Sequence, residues 1–94
     1  MEMVTIDTVL VRTDHCLVSE IDNELVMMDV QSGHYFTLDA IGNNIWNRLE
    51  QPVRVGDLCV ILEQAYAAPL DVITADVLRL LDSMAGEGLV KVAA

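Results

Sequence analysis

The only histidines in this sequence are His15 and His34 and the only thiols Cys16 and Cys59, the side chains best suited to serve as a base near neutral pH, a nucleophile or a soft metal ligand. His15 and Cys16 are adjacent, and neighbours on an extended strand project to opposite faces, which separates thiol from imidazole. Cys59 follows Leu58 on a predicted helix, where a free thiol reads as a small residue at the border of the core. A structural zinc site needs about four ligands, and these four lack the paired spacing of finger and ribbon sites. Acidic residues such as Asp29, Asp57 and Asp71 follow no D-x-D-x-D-G calcium pattern and read as solvated surface. Ser32-Gly33 reads as a turn, not as a G-x-G-x-x-G phosphate cradle. The expectation is a chain with no catalytic residue, no metal and no cofactor, and hence no enzyme.

Recognition is the remaining chemistry, and one stretch is suited to it. Gly33, His34, Tyr35, Phe36, Thr37 and Leu38 form an apolar strand with neither proline nor fixed charge, the usual guards of an exposed sheet edge. Alternation sends Leu38 and one of the two aromatics into the core. The backbone from Gly33 to Thr37 is then available to bond an incoming extended peptide, with backbone supplying grip and pockets supplying specificity. A following helix supplies Asp76, Val77, Leu80, Ser83 and Met84 as the floor and wall of the groove. Methionine suits such a wall because it adapts its shape. The rival occupant of the edge is a second copy of the chain, which would make a homodimer.

These residues need a scaffold, and 94 residues make one small domain, expected to span 1–94. Apolar residues are 53% and charged residues 21%, with five glycines and two prolines, which favours a folded globule over disorder. Residues 1–8 read either as a loose lead or as an edge strand. Val9 to Arg12 is a β-branched patch. Cys16 to Ile21 and Leu25 to Val30 read as strands joined at Asp22-Asn23-Glu24, whose residues tolerate left-handed backbone. Gln31-Ser32-Gly33 then turns the chain into the strand His34 to Leu38, which makes a three-stranded antiparallel meander.

Asp39 is placed to cap a helix whose buried stripe is Ile41, Ile45, Trp46 and Leu49. Gly42 lowers the propensity of that helix, which fits a close approach by the sheet. Pro52 is expected to end it. A second helix spans Val55 to Tyr66 with Leu58, Ile61, Leu62 and Ala65 inward. A third starts at Leu70 or Asp71 and buries Ile73, Val77, Leu80, Leu81 and Met84. Leu89 to Val92 closes the chain as a short strand. The fold class is therefore α+β, winged helix-turn-helix-like, a three-stranded antiparallel sheet followed by three helices.

Winged helices often read DNA, but five basic residues against fifteen acidic ones give a net charge of -10. That field repels phosphate backbones, so a nucleic-acid partner is the remotest reading. The third helix carries Asp71, Asp76 and Asp82 with Arg79 alone among them. Two distant cysteines make no disulfide framework. The start is acidic rather than signal-like, and no apolar run reaches membrane-spanning length, so the expected location is cytoplasmic with no membrane partner.

The run Leu25-Val26-Met27-Met28-Asp29, the turn Ser32-Gly33-His34-Tyr35-Phe36 and Leu38-Asp39 through Gly42-Asn43-Asn44-Ile45-Trp46 resemble the signature of the PqqD-like family. Asp76-Val77 to Leu80-Leu81, with Glu87-Gly88-Leu89-Val90, resembles its ending, so the likeness covers Cys16 to Val92. One departure is Asp39, where the family more often has asparagine; both residues cap helices. The resemblance implies a recognition element for ribosomally made, modified peptides. Such an element binds a precursor's leader as an added strand and hands it to a partner leader peptidase or modification enzyme. By position it implies Gly33 to Leu38 for the strand, and Asp76, Leu80, Ser83 and Met84 for the helix face. The S-G-x-Y-x-x-L turn in a short chain resembles the stand-alone lasso-peptide type. The alternative it implies is a peptide chaperone for a radical enzyme in pyrroloquinoline quinone synthesis.

Overall fold

The computed structural model describes residues 3–93. Two antiparallel sheets of three strands each share one hydrophobic core with three helices. The meander is β2 (Cys16–Ile21), β3 (Glu24–Asp29) and β4 (Tyr35–Leu38), in that spatial order. Asp22 and Asn23 both take positive φ, 53° and 68°, the geometry of a two-residue hairpin turn that matches strand twist. Ile21 therefore pairs with Glu24 and Cys16 with Asp29. Gly33 turns the next corner at φ 75°, where a Cβ would be strained.

Asp29 corrects one expectation. It is not solvated surface but 5% exposed. Its Oδ1 accepts the N–H groups of Gln31 at 2.8 Å and Ser32 at 3.4 Å, and its backbone pairs with Gly33 and His34. Short acidic side chains commonly bond backbone two residues on, and here that bond forms the turn feeding β4.

Helix α1 (Ala40–Arg48) follows, capped by Asp39, whose Oδ1 accepts the Gly42 N–H at 2.9 Å. A Cβ on Gly42 would lie 2.9 Å from Leu38 Cβ, so the sheet does crowd this helix, through a side chain at the end of β4. Ile45, Trp46 and Leu49 are buried as the spacing predicts, but Ile41 is 45% exposed. The helix closes at Arg48, with Leu49 as its cap, before Pro52 can act as the stop. Pro52 instead leads into a strand that the sequence reading lacks, β5 (Val53–Arg54).

Helix α2 (Val55–Tyr66) buries Val55, Leu58, Cys59 and Leu62. Ile61 and Ala65, expected inward, are exposed, because the stripe through 55, 58, 59 and 62 places both on its flank. Helix α3 (Leu70–Gly86) packs on α2 and buries Val77, Leu81 and Met84. The terminal strand β6 (Val90–Val92) pairs with β1 (Val9–Arg12), and β1 also pairs with β5. The β-branched patch at 9–12 is thus the central strand of a second sheet.

Of the lead at 1–8, residues 1 and 2 lie outside the described residues, and residues 3–8 form no strand. They are pinned nonetheless. Val4 is 3% exposed and its N–H donates to the Asp82 carboxylate at 2.9 Å. Arg54 holds Asp7 at 3.0 Å and Asp57 at 3.1 Å.

Candidate functional site

Of the groups with reaction chemistry, His15, Cys16 and Asp29 meet at the base of the hairpin, where Cys16 and Asp29 are cross-strand partners. Burial pushes both thiols above their ordinary range, with Asp29 adding to the effect at Cys16 and a Thr74 hydrogen bond opposing it at Cys59. Neutral thiols are poor nucleophiles and poor metal ligands. His15 lies 3.8 Å from the Asp29 carboxylate, a tie across the base of the hairpin. No group of three or more His, Cys, Asp or Glu is placed to hold a metal ion among the described residues.

The edge of β4 is open. It pairs with β3 on one side, and its other side has no strand partner among the described residues. The register places Tyr35 opposite Met28 and Thr37 opposite Val26 on one face, and Phe36 opposite Met27 and Leu38 opposite Leu25 on the other. Leu38 is buried, Phe36 half-buried and Tyr35 73% exposed, so Phe36 is the aromatic that turns inward. His34 meets Phe36 edge-on at 6.5 Å between ring centroids.

Beside this edge lies a cleft of about 330 Å³, lined by Thr37, Leu38, Asp39, Ile41, Gly42, Ile45, Asp76, Val77 and Leu80. Helix α3 stands across the cleft from β4 instead of covering it. Five predicted residues come together here: Thr37, Leu38, Asp76, Val77 and Leu80. Met84 does not: it lies in the core two helical turns beyond Val77 on the same face, past the end of the lining. Ser83 is exposed but lies one turn past Leu80, beyond the lining. Gly33, His34 and Tyr35 are exposed outside the cleft.

Sequence reasoning missed the wall that α1 supplies through Asp39, Ile41, Gly42 and Ile45. Helical spacing assigns Ile41 to the buried stripe. What spacing does not carry is that, among the described residues, no element covers Ile41 in the first turn of that stripe. A charge-free edge strand followed at once by a capped helix was the available signal.

A protein-family model described as "Coenzyme PQQ synthesis protein D (PqqD)" matches residues 24–90, well over half of the chain. The open-edged meander with its three helices belongs to that class of small α+β domain, and the chain is a member of the PqqD family. Among solved structures it is similar to "TbiB1 in Complex with the TbiA(beta) Leader Peptide", with a TM-score of 0.79 at 28% identity. That alignment covers 89% of this chain and 98% of TbiB1. No curated protein sequence matched the chain.

Proposed function

We propose that this protein is a non-catalytic adaptor that binds the leader segment of a ribosomally made precursor peptide. The leader adds as a strand on the open edge of β4 and lays its inward side chains into the cleft faced by α1 and α3. The adaptor then presents the precursor to a modifying enzyme or a leader peptidase. The observation that carries this reading is an unpaired, uncharged strand edge running beside an apolar cleft, the two components of β-augmentation. The likeness to TbiB1, solved with a leader peptide, supports it.

The same likeness, with the S-G-x-Y-x-x-L turn, favours lasso-peptide biosynthesis, in which the partner enzyme is a leader peptidase. The family description favours a second pathway, in which the domain serves quinone-cofactor synthesis beside a radical enzyme. We place the protein in the cytoplasm, where two free thiols persist. No helix among the described residues is long and apolar enough to cross a membrane.

Fluorescence anisotropy tests the binding reading. A labelled leader of a lasso-type precursor, such as the TbiA(beta) leader solved with TbiB1, should bind the protein and lose about tenfold or more of its affinity for Ile41→Asp and Leu80→Asp. Circular dichroism of both variants should stay native, because neither side chain is fully buried. Absence of binding to the unmodified protein rejects the function. Full affinity in the folded variants moves the site elsewhere.

A further inference from the structure

The cleft holds a feature that strand addition alone does not use. Its floor is aliphatic, made by Leu38, Ile41, Ile45, Val77 and Leu80, while carboxylates stand on two of its walls, Asp39 at the start of α1 and Asp76 on α3. The floor is unfinished. Ile41 lies one turn from Ile45 on the same helical stripe, yet Ile41 is 45% exposed and Ile45 2%. One more aliphatic side chain would complete the core at that point. Asp39 spends Oδ1 on the Gly42 N–H, and Oδ2 makes no hydrogen bond among the described residues. Asp76 holds Arg79 at 3.3 Å, with both side chains largely exposed, an arrangement of little strength.

A strand added to β4 alternates as β4 does, so residues i and i+2 face the cleft together, about 7 Å apart. Resting on the leader-binding reading above, we infer that this cleft selects an aliphatic side chain paired with a lysine or arginine two residues away in the leader. The aliphatic group closes over Ile41 and Ile45. The cation sits at the rim between Asp39 and Asp76. Charge complementarity commits the site to such a leader over a second copy of this chain. Another copy brings a net charge of -10, and its own edge, Gly33 to Leu38, contains neither lysine nor arginine. Opposite charge also hastens encounter with a basic leader.

A charge-exchange titration tests this. The same leader peptide used to test binding is synthesised with Lys, Gln or Glu at each position in turn. Each peptide is titrated against the unmodified protein, Asp39→Asn, Asp76→Asn and the double variant. Asparagine caps a helix as well as aspartate does, so Asp39→Asn keeps α1 while removing its charge.

At one position, two residues from an aliphatic one, affinity should fall in the order Lys, Gln, Glu, by about two- to fivefold per step. The ranking should steepen as ionic strength is lowered and vanish in the double variant. Equal affinities for the three peptides at every position, or a ranking that survives in the double variant, overturn the inference while leaving leader binding intact. Failure of every peptide to bind the unmodified protein overturns both.

Discussion

Asp29 carries a charge almost out of contact with water, and the turn around it explains how. The Gln31 N–H, then the Ser32 N–H and the nearby His15, hold its carboxyl below the ordinary range, against an opposing effect of burial. What covers the carboxylate is its own hairpin turn, so backbone donors outweigh the loss of hydration. Because the folded form binds a proton less readily than the unfolded one, Asp29 contributes stability that is fully present above the ordinary carboxylate range of the unfolded chain. That contribution is lost as pH falls through the lower folded value. In urea titrations the midpoint should therefore drop on acidification below about pH 4. Asp29→Asn should lower the midpoint at neutral pH and flatten this acid limb. An unchanged limb would remove Asp29 from the account of the turn that feeds β4.

Among the elements, α1 joins fold to site, because its buried end secures the meander and its exposed first turn walls the cleft. Gly42 sets how close the two come. Gly42→Ala gains ~1 kcal/mol of helix propensity, but its Cβ would meet Leu38 Cβ at 2.9 Å. Overpacking of that kind costs about 1–3 kcal/mol. Thermal denaturation should accordingly show net destabilisation, and a stabilised variant would mean that β4 slides freely. Met84→Asp, by contrast, places a charge in the core and should unfold the domain, unlike Leu80→Asp.

The same elements show what the sequence carries. Local turn and capping chemistry was legible: Asp22-Asn23, Gly33 and Asp39 lie where their residue types require, and α2 spans the residues that its pattern marks. The second sheet was not. Val53–Arg54 is two residues long, and its pairing with Val9 and Leu10 is long-range, with no periodicity of its own. The cleft was half legible for a related reason. Spacing tells which face of a helix is apolar, but whether a neighbour covers each turn of that face is decided by packing. Ile41, expected in the buried stripe, is 45% exposed beside the cleft, and Met84, expected both in the buried stripe and on the groove wall, lies in the core alone.

At the scale of the whole molecule, fifteen acids against five bases surround an apolar fold with uncovered surface. β2 as well as β4 lacks an outer partner among the described residues, and β2 exposes Leu17, Val18 and Ile21 at 62%, 51% and 60%. Such edges invite pairing, and neither lysine nor proline guards them. The exposed Glu20 on β2 and the net charge are the restraints on self-association. Two unpaired edges on one meander make the protein the counterpart of a difunctional monomer, able to grow in both directions once repulsion is screened. A leader bound on β4 as proposed above would then act as a chain terminator. Sedimentation should show a monomer at low salt and heavier species near 1 M, where the screening length is about 3 Å. Adding leader should shorten those species, and a sedimentation coefficient indifferent to salt would show that the edges are closed by other means.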